Sequence, residues 1–188
     1  GYMRGFAKRA AARGWGAYLL NLYDIRPPQS GRPTVFHAGN SAALQTVIDR
    51  ILRETSGPLF LAGVSLGGNM TLKLLGEWSD RAPGRVLGAA LLSPLVDLPA
   101  SWPILERRTR QPYRVHFLRA LFALVEEHRE RIEEFVDVNQ VFRAKTIREF
   151  DSALTAPLAG FSDVFDYYGA ASAAPMMARI SVPTLVLF

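Results

Sequence analysis

The stretch Leu59-Phe-Leu-Ala-Gly-Val-Ser-Leu-Gly-Gly-Asn69 decides the fold. Its first six residues form a short apolar run behind turn residues, which is typical of a strand buried in a parallel sheet. Residues 66–78 predict a helix, so Gly63-Val-Ser-Leu-Gly67 falls on a strand–turn–helix junction and matches the pattern G-x-S-x-G. This context predicts that Ser65 is a nucleophile held on a sharp turn above the carboxyl ends of the strands.

The neighbours of Ser65 fit this role. A sharp, strained turn requires small residues two positions away on each side, and Gly63 and Gly67 meet that requirement. The helix that follows directs its N-terminus at a developing oxyanion, so the Leu66 backbone N–H is an expected oxyanion donor. The alternative is that the glycines only allow close packing and that Ser65 is a helix N-cap. Dinucleotide-binding and phosphate-loop glycine patterns are absent from the sequence.

The elements on either side of this junction alternate between helix and strand. The sequence predicts a helix over 2–13, a strand over 16–23, an irregular connection over 25–39, a helix capped by Asn40, and buried strands over 86–92 and 182–188. This alternation predicts an α/β fold with a mostly parallel, doubly wound sheet. Residues 98–175 break the rhythm and are mostly helical. We therefore predict a core over 1–97, a helical cap insertion over 98–175, and a return to the core over 176–188.

The composition is that of an ordinary globular domain. A chain of 188 residues with 49% hydrophobic residues can bury a core without disulfides or a structural metal. The lack of cysteine excludes thiol nucleophiles, zinc fingers and disulfide frameworks. We expect a cytoplasmic protein with no metal and no cofactor. The formal charge is +5, no nucleic-acid-binding signature is present, and no nucleic-acid partner is expected. The densest basic run could favour an anionic substrate or a membrane surface, or be a solvated face; its members are Arg107, Arg108, Arg110, Arg114 and Arg119.

A serine nucleophile needs a base that is oriented by an acid, and in this motif context the three occur in the order Ser, Asp or Glu, His. The only histidines are His37, His116 and His128. One internal triad keeps the order, with Asp97 as the acid and His116 or His128 as the base. Both histidines, however, lie in the helical insertion. The simpler interpretation is that His128 packs on an apolar helical stripe and that His116 is solvated.

Several blocks of sequence carry a specific resemblance. They are Tyr2-Met-Arg-Gly, Ala12-Arg-Gly-Trp15, Phe36-His-Ala-Gly39, Gly63-Val-Ser-Leu-Gly-Gly-Asn69, Thr146-Ile-Arg-Glu-Phe-Asp151, Thr155-Ala-Pro157, Gly160-Phe161, Asp166-Tyr-Tyr168 and Val182-Pro-Thr184. The chain resembles the YheT-like, embryogenesis-associated branch of the α/β-hydrolases, a family of predicted esterases and lipases. The resemblance implies an α/β-hydrolase fold with a helical cap.

The same resemblance implies a Ser, Asp, His triad, of which only the serine maps onto this chain, at Ser65. It also implies an acid soon after the strand that includes residues 184–188, a histidine farther on, and an oxyanion segment ahead of residue 1. We therefore expect the chain to be an interior segment of a longer hydrolase, lacking N- and C-terminal parts of the fold, poorly soluble and inactive alone. His37 matches a family histidine, which we interpret as a loop-ordering residue.

The leading functional hypothesis is a serine hydrolase of carboxylic esters, similar to a carboxylesterase or lipase, that acts through an acyl-enzyme on Ser65. Its substrate would be a small-molecule or lipid ester, and the apolar stripe of the insertion suggests a medium or long acyl chain. Two alternatives remain open: a non-catalytic binding protein with the same fold, and an acyltransferase that uses the same residues. The sequence gives no indication of oligomeric state.

Overall fold

The N-terminal region begins with an amphipathic helix. The computed structural model describes residues 2–21, 25–26 and 33–188, and helix α1 spans Tyr2–Ala11. The strand predicted over 16–23 is wrong for residues 16–21, which form no strand; residues 22–23 lie outside the described part. Among the described residues, no strand lies beside this run. An apolar run without a neighbouring strand has no partner for its backbone hydrogen bonds and does not form a strand. Its preceding residue Trp15 stacks on Phe60, with ring centroids 5.3 Å apart.

A short antiparallel ladder follows, formed by β1 (Ile25–Arg26) and β2 (Thr34–Val35). The prediction of a wholly irregular connection over 25–39 is therefore wrong at these two places, while the predicted turn residues 27–32 lie outside the described part. Ile25 and Val35 are buried against helices of the region 98–175. Burial of these two apolar side chains explains why the ladder forms within a segment rich in proline and glycine.

Three parallel strands form the central sheet. Helix α2 (Ser41–Glu54) leads to β3 (Leu59–Val64), helix α3 (Leu66–Trp78) to β4 (Val86–Leu92), and the chain returns at its end as β5 (Thr184–Leu187). The strand order is β3-β4-β5. The prediction of a parallel α/β sheet is confirmed. The cap predicted at Asn40 is also confirmed, because its Oδ1 accepts the Ala43 N–H at 3.1 Å.

One face of this sheet is covered by helices. Ile48 of α2 and Leu74 and Leu75 of α3 are almost fully buried against residues of β3 and β4. The other face remains exposed among the described residues, with Phe60 at 47% and Leu185 at 55%. The described part therefore contains the first layer of a doubly wound arrangement and leaves its second face open.

Residues 98–171 fold mainly as helices that pack around two further apolar clusters. The helices are α4 (Leu98–Leu105), α5 (Gln111–Glu127), α6 (Arg129–Ile132), α7 (Val138–Phe142), α8 (Ile147–Phe150), α9 (Ala156–Ala159) and α10 (Val164–Ala171). The apolar stripe predicted along one helix is divided between two, with Leu118 and Val125 of α5 and Ile132 of α6 buried in the same cluster. The division into core, cap and returning strand stays a prediction. Within the described ranges, no helix combines the length and the apolar character needed to cross a bilayer.

A single π-helical turn, Asp151–Thr155, joins α8 to α9 and contains a carboxylate with unusual surroundings. Asp151 accepts hydrogen bonds from the Thr155 hydroxyl at 2.7 Å and the Tyr168 hydroxyl at 2.9 Å. These bonds favour the ionised form, but burial outweighs them and raises the pKa of Asp151 to about 6. The folded protein therefore holds a proton on Asp151 at pH values where the unfolded chain has lost it.

We expect this group to make the protein less stable as pH rises. The native state binds more protons than the unfolded state between the ordinary pKa of 3.8 and about 6, so the contribution is full below pH 4 and is lost on going through pH 6. The loss is on the order of 2–3 kcal/mol. Denaturant unfolding at several pH values should show that Asp151→Asn removes this slope, whereas Asp80→Asn, at an exposed position, retains it. Parallel profiles for Asp151→Asn and the native chain would contradict the assignment.

Candidate active site

Ser65 sits on the tight turn between β3 and α3, at the carboxyl edge of the parallel sheet. Its backbone has φ 52° and ψ −117°, a left-handed conformation that costs a non-glycine residue roughly 1–3 kcal/mol. The Ser65 N–H donates to the Leu92 carbonyl at 2.9 Å, so the end of the neighbouring strand holds the turn in place. The surrounding structure thus fixes a strained serine where open α/β sheets bind ligands.

The glycines around Ser65 are needed because the backbone segments approach one another closely. A Cβ atom on Gly63 would lie 2.7 Å from the Gly67 carbonyl oxygen and 2.9 Å from Gly68 Cα. A Cβ atom on Gly68 would lie 2.9 Å from the Pro94 side chain. Backbone cannot yield as a flexible side chain can, so larger residues at these positions would displace the turn.

Ser65 occupies the N-cap position of α3, yet its hydroxyl makes no capping hydrogen bond. Asn40 and Asp97 show the contrast, since both use a side-chain oxygen to cap the helix they precede. Positive φ is not unique to Ser65, because Ser79 and Ser93 share it. Of these three described serines, Ser65 alone lies on a strand-to-helix turn. The missing capping bond argues against a purely capping role.

Leu66 begins α3 directly after the nucleophile candidate. The N–H groups of a first helical turn have no intrahelical partner, so the Leu66 N–H is a donor at the positive end of the helix dipole. The Leu66 side chain packs against a buried apolar cluster that includes Ala156 and Val164. Leu95, Trp102 and Phe161 pack against the same cluster, so this part of the helical region shares its apolar core with the start of α3.

Asn69, one helical turn after Ser65, links three separate parts of the chain. It is fully buried, and its side-chain amide donates to the carbonyls of Ala38 at 3.0 Å and Ala171 at 2.8 Å. Its Oδ1 accepts the Ala173 N–H at 3.0 Å. The Asn69 backbone N–H also donates to the Ser65 carbonyl. Sequence reasoning missed this residue, although an asparagine among apolar helix positions was the available signal.

His37 lies in the loop that Asn69 anchors. Its Nδ1 accepts the Gly39 N–H at 3.2 Å, and its ring makes edge contacts with Phe161 and Tyr167. Burial, reinforced by the charge of Lys73, lowers the pKa of His37 below its usual value. These contacts fit the loop-ordering role expected from the sequence.

The structure does not bring the internal triad together. The Asp97 carboxylate caps α4 through the Ala100 N–H at 2.9 Å. His116 lies on the surface of α5 beside two open clefts, and the Nδ1 of His128 contacts Arg131. Within the described part of the chain, no hydrogen bond joins Ser65 or Asp97 to either histidine. The position of Asp97 is explained by its capping hydrogen bond at the start of α4.

Comparison with known proteins finds relatives that agree with the resemblance described above. The chain is 29% identical to a putative esterase named YheT from Escherichia coli (strain K12), over 99% of this chain and 55% of that protein. It is 29% identical to the human phospholipase named ABHD3, over 93% of this chain and 42% of the relative. The Picea glauca embryogenesis-associated protein EMB8 is 25% identical over 91% of this chain. These matches confirm the resemblance to the YheT-like α/β-hydrolases.

The parallel sheet flanked by helices is a partial α/β-hydrolase fold, in agreement with these YheT-like relatives. The chain spans about half the length of the curated relatives it matches, between 42% and 55% for the two named first. No family model and no solved structure matches it.

Proposed function

We propose that this chain carries the nucleophile of a YheT-like serine hydrolase that cleaves carboxylic esters. The observation that carries the proposal is the strained turn at Ser65, whose hydroxyl is not used for capping although it begins a helix. The strain of this turn lowers stability, and no capping hydrogen bond from Ser65 offsets it. Such strain is expected where the chemistry of a site requires it. Relatives named esterase and phospholipase support an ester as the substrate.

In the proposed reaction, Ser65 Oγ attacks the acyl carbonyl carbon while a general base takes the hydroxyl proton. The Leu66 N–H donates to the oxyanion that forms on the carbonyl oxygen. Collapse of this intermediate breaks the bond to the alcohol oxygen, which leaves with the proton returned by the base. Water then attacks the acyl-enzyme by the same route, releasing the carboxylic acid and restoring Ser65.

The base and its acid are proposed to come from outside these 188 residues. Three observations support this. No described Asp or His side chain hydrogen-bonds to Ser65, and the matched relatives are about twice as long as this chain. Strand β5 also runs parallel to β4, and its Leu187 carbonyl accepts the Ser93 N–H at 2.6 Å. A residue placed just beyond β5 would therefore emerge at the sheet edge that holds Ser65.

The proposed acyl group is apolar. Leu66, at the start of α3, packs against a buried apolar cluster that Leu95, Trp102 and Phe161 also contact. One charged group lies beside them, since the Arg148 guanidinium is 4.2 Å from the centroid of the Trp102 ring. An apolar chain next to these residues would be withdrawn from water. Each buried methylene group would make the binding free energy more favourable by roughly 0.8 kcal/mol. Medium or long acyl esters, including lipid esters, fit this surface better than acetyl esters do.

The test is covalent labelling of the full-length protein with a fluorophosphonate, which reacts with activated serines. We expect one label, on the peptide that contains Ser65, and reduced labelling after preincubation with nitrophenyl esters of increasing acyl length. A Ser93→Ala variant should label normally. Ser93 shares the positive φ and the sheet edge with Ser65, but it does not lie on the turn between β3 and α3. Label on Ser93, or no label at all, would contradict the proposal and favour a binding protein with this fold. Product analysis with a competing alcohol distinguishes hydrolysis from acyl transfer.

A further inference from the structure

The largest group of basic residues uninterrupted by acidic ones lies in one segment. Residues 107–125 contain five arginines and no aspartate or glutamate. Residues 4–13 form a smaller group of the same kind, with four basic residues and no acidic one. The five charges of residues 107–125 equal the formal net charge of +5, and charge gathered in this way produces a local field.

Four of these arginines are exposed and form no salt bridge with any described residue; they are Arg107, Arg108, Arg110 and Arg119. The fifth, Arg114, is half-buried and donates to the Glu106 carbonyl at 2.9 Å. Two exposed arginines elsewhere form pairs, Arg50 with Glu54 at 2.7 Å and Arg129 with Glu126 at 2.8 Å, whereas others such as Arg53 and Arg81 are also unpaired among the described residues. The positive charge of this segment is thus left available to an external anion.

An exposed apolar side chain lies between these arginines. Val115, in the first part of α5, is 37% exposed. A cleft of about 530 Å³ lies on this face of the helix, with Arg108 and Arg119 in its wall and Val115 between them in the chain. We call the wall of this cleft formed by Arg108, Val115 and Arg119, together with the neighbouring exposed Arg107 and Arg110, the arginine surface.

The other half of α5 has the opposite character. Glu126 and Glu127 end the helix, and three further glutamates follow by residue 134. An anionic plane would therefore attract the N-terminal half of α5 and repel its C-terminal half, which fixes the orientation in which this helix approaches it. A second, largely apolar cleft, which includes Phe117 and Leu121, continues from the arginine surface along α5.

We propose that the arginine surface docks this protein onto an anionic phospholipid membrane. Arginines around an exposed apolar side chain match the interfacial region of a bilayer, where phosphates lie above acyl chains. Nucleic acid fits less well, because bases stack on exposed aromatic rings and the apolar side chain of this surface, Val115, is aliphatic. The proposal rests on this surface alone and does not depend on the chemistry of Ser65.

The experiment is co-sedimentation of the full-length protein with vesicles. One set contains phosphatidylcholine only and the other contains about one-third phosphatidylserine, at low and at high salt. We expect binding to the anionic vesicles, weakened by salt, and a loss of roughly tenfold or more in affinity for Arg108→Gln/Arg110→Gln, because each interfacial arginine contributes about 1 kcal/mol. Val115→Ser should also weaken binding without changing the salt dependence.

The matched control is Arg53→Gln/Arg81→Gln, which removes two exposed charges from α2 and the turn after α3 and should bind like the native chain. Circular dichroism and thermal melts establish that each variant is folded. Three outcomes would overturn the proposal: equal binding to neutral vesicles, an equal loss in the control variant, or retention on nucleic acid without vesicle binding. Esterase activity on a soluble substrate should be unchanged in the Arg108→Gln/Arg110→Gln variant, so this proposal and the assignment of Ser65 can fail separately.

Discussion

Replacing Ser65 by alanine should reduce the rate of ester hydrolysis by the full-length protein by about 10⁴-fold or more in kcat. The nucleophile contributes nearly all of covalent catalysis, and what remains comes from oxyanion stabilisation and binding alone. KM should change little, since the removed oxygen atom is proposed to act on the carbonyl and not to hold the acyl chain. Steady-state hydrolysis of a nitrophenyl ester measures both constants.

Ser79→Ala is the matched control for this substitution. Ser79 has nearly the same backbone conformation as Ser65, with φ 54° and ψ −124°, but it lies at the C-terminal end of α3, away from the turn. Removing its hydroxyl should leave kcat within about twofold, because surface changes distant from the reacting atoms are usually small. A comparable loss in both variants would indicate damage to α3 and would count against a nucleophilic role for Ser65.

The second large effect is expected at Asn69. Replacing it by leucine preserves the approximate volume but leaves the carbonyls of Ala38 and Ala171 and the Ala173 N–H without their partner. Each buried polar group left unsatisfied costs about 1–3 kcal/mol, so with three such groups the unfolding free energy should fall by roughly 3–9 kcal/mol. Denaturant unfolding monitored by circular dichroism gives this difference directly.

Asn139→Leu controls for the change of side chain, because Asn139 is an exposed asparagine in α7. It should shift the unfolding free energy by less than about 0.5 kcal/mol. If Asn69→Leu were equally mild, the three hydrogen bonds would not stabilise the fold. If Asn69→Leu remained folded at low temperature, its fluorophosphonate labelling should be slower than that of the native chain, because the turn at Ser65 would have lost its anchor.

The turn at Ser65 could be predicted because its determinants are local. Gly63, Ser65 and the flanking apolar runs lie within about one strand and one helix of each other, and the required conformation follows from their order. The cap at Asn40 could be predicted for the same reason, since a capping side chain bonds to an N–H three residues away. The parallel sheet followed from the alternation of strand and helix.

The misses share a different cause. Residues 16–21 have a strand-like composition, but a strand also needs a neighbour, and local sequence does not tell which neighbour is present. Asn69 was missed because its three side-chain partners lie 31, 102 and 104 residues away in the chain. Asp97 was considered as a catalytic acid, but it caps α4 instead. In each case, a contact distant in sequence or a competing local bond decided the outcome.

The bonds of Asn69 also set an order of events during synthesis of the chain. Ala173 follows Asn69 by 104 residues, so at about 5–20 residues per second a ribosome needs roughly 5–20 s to make the second partner segment after the first. Throughout that interval the polar amide in the middle of α3 has no partner from residues 171–173. The helix that carries Ser65, the proposed nucleophile, can therefore be locked in position only after the entire helical region has emerged.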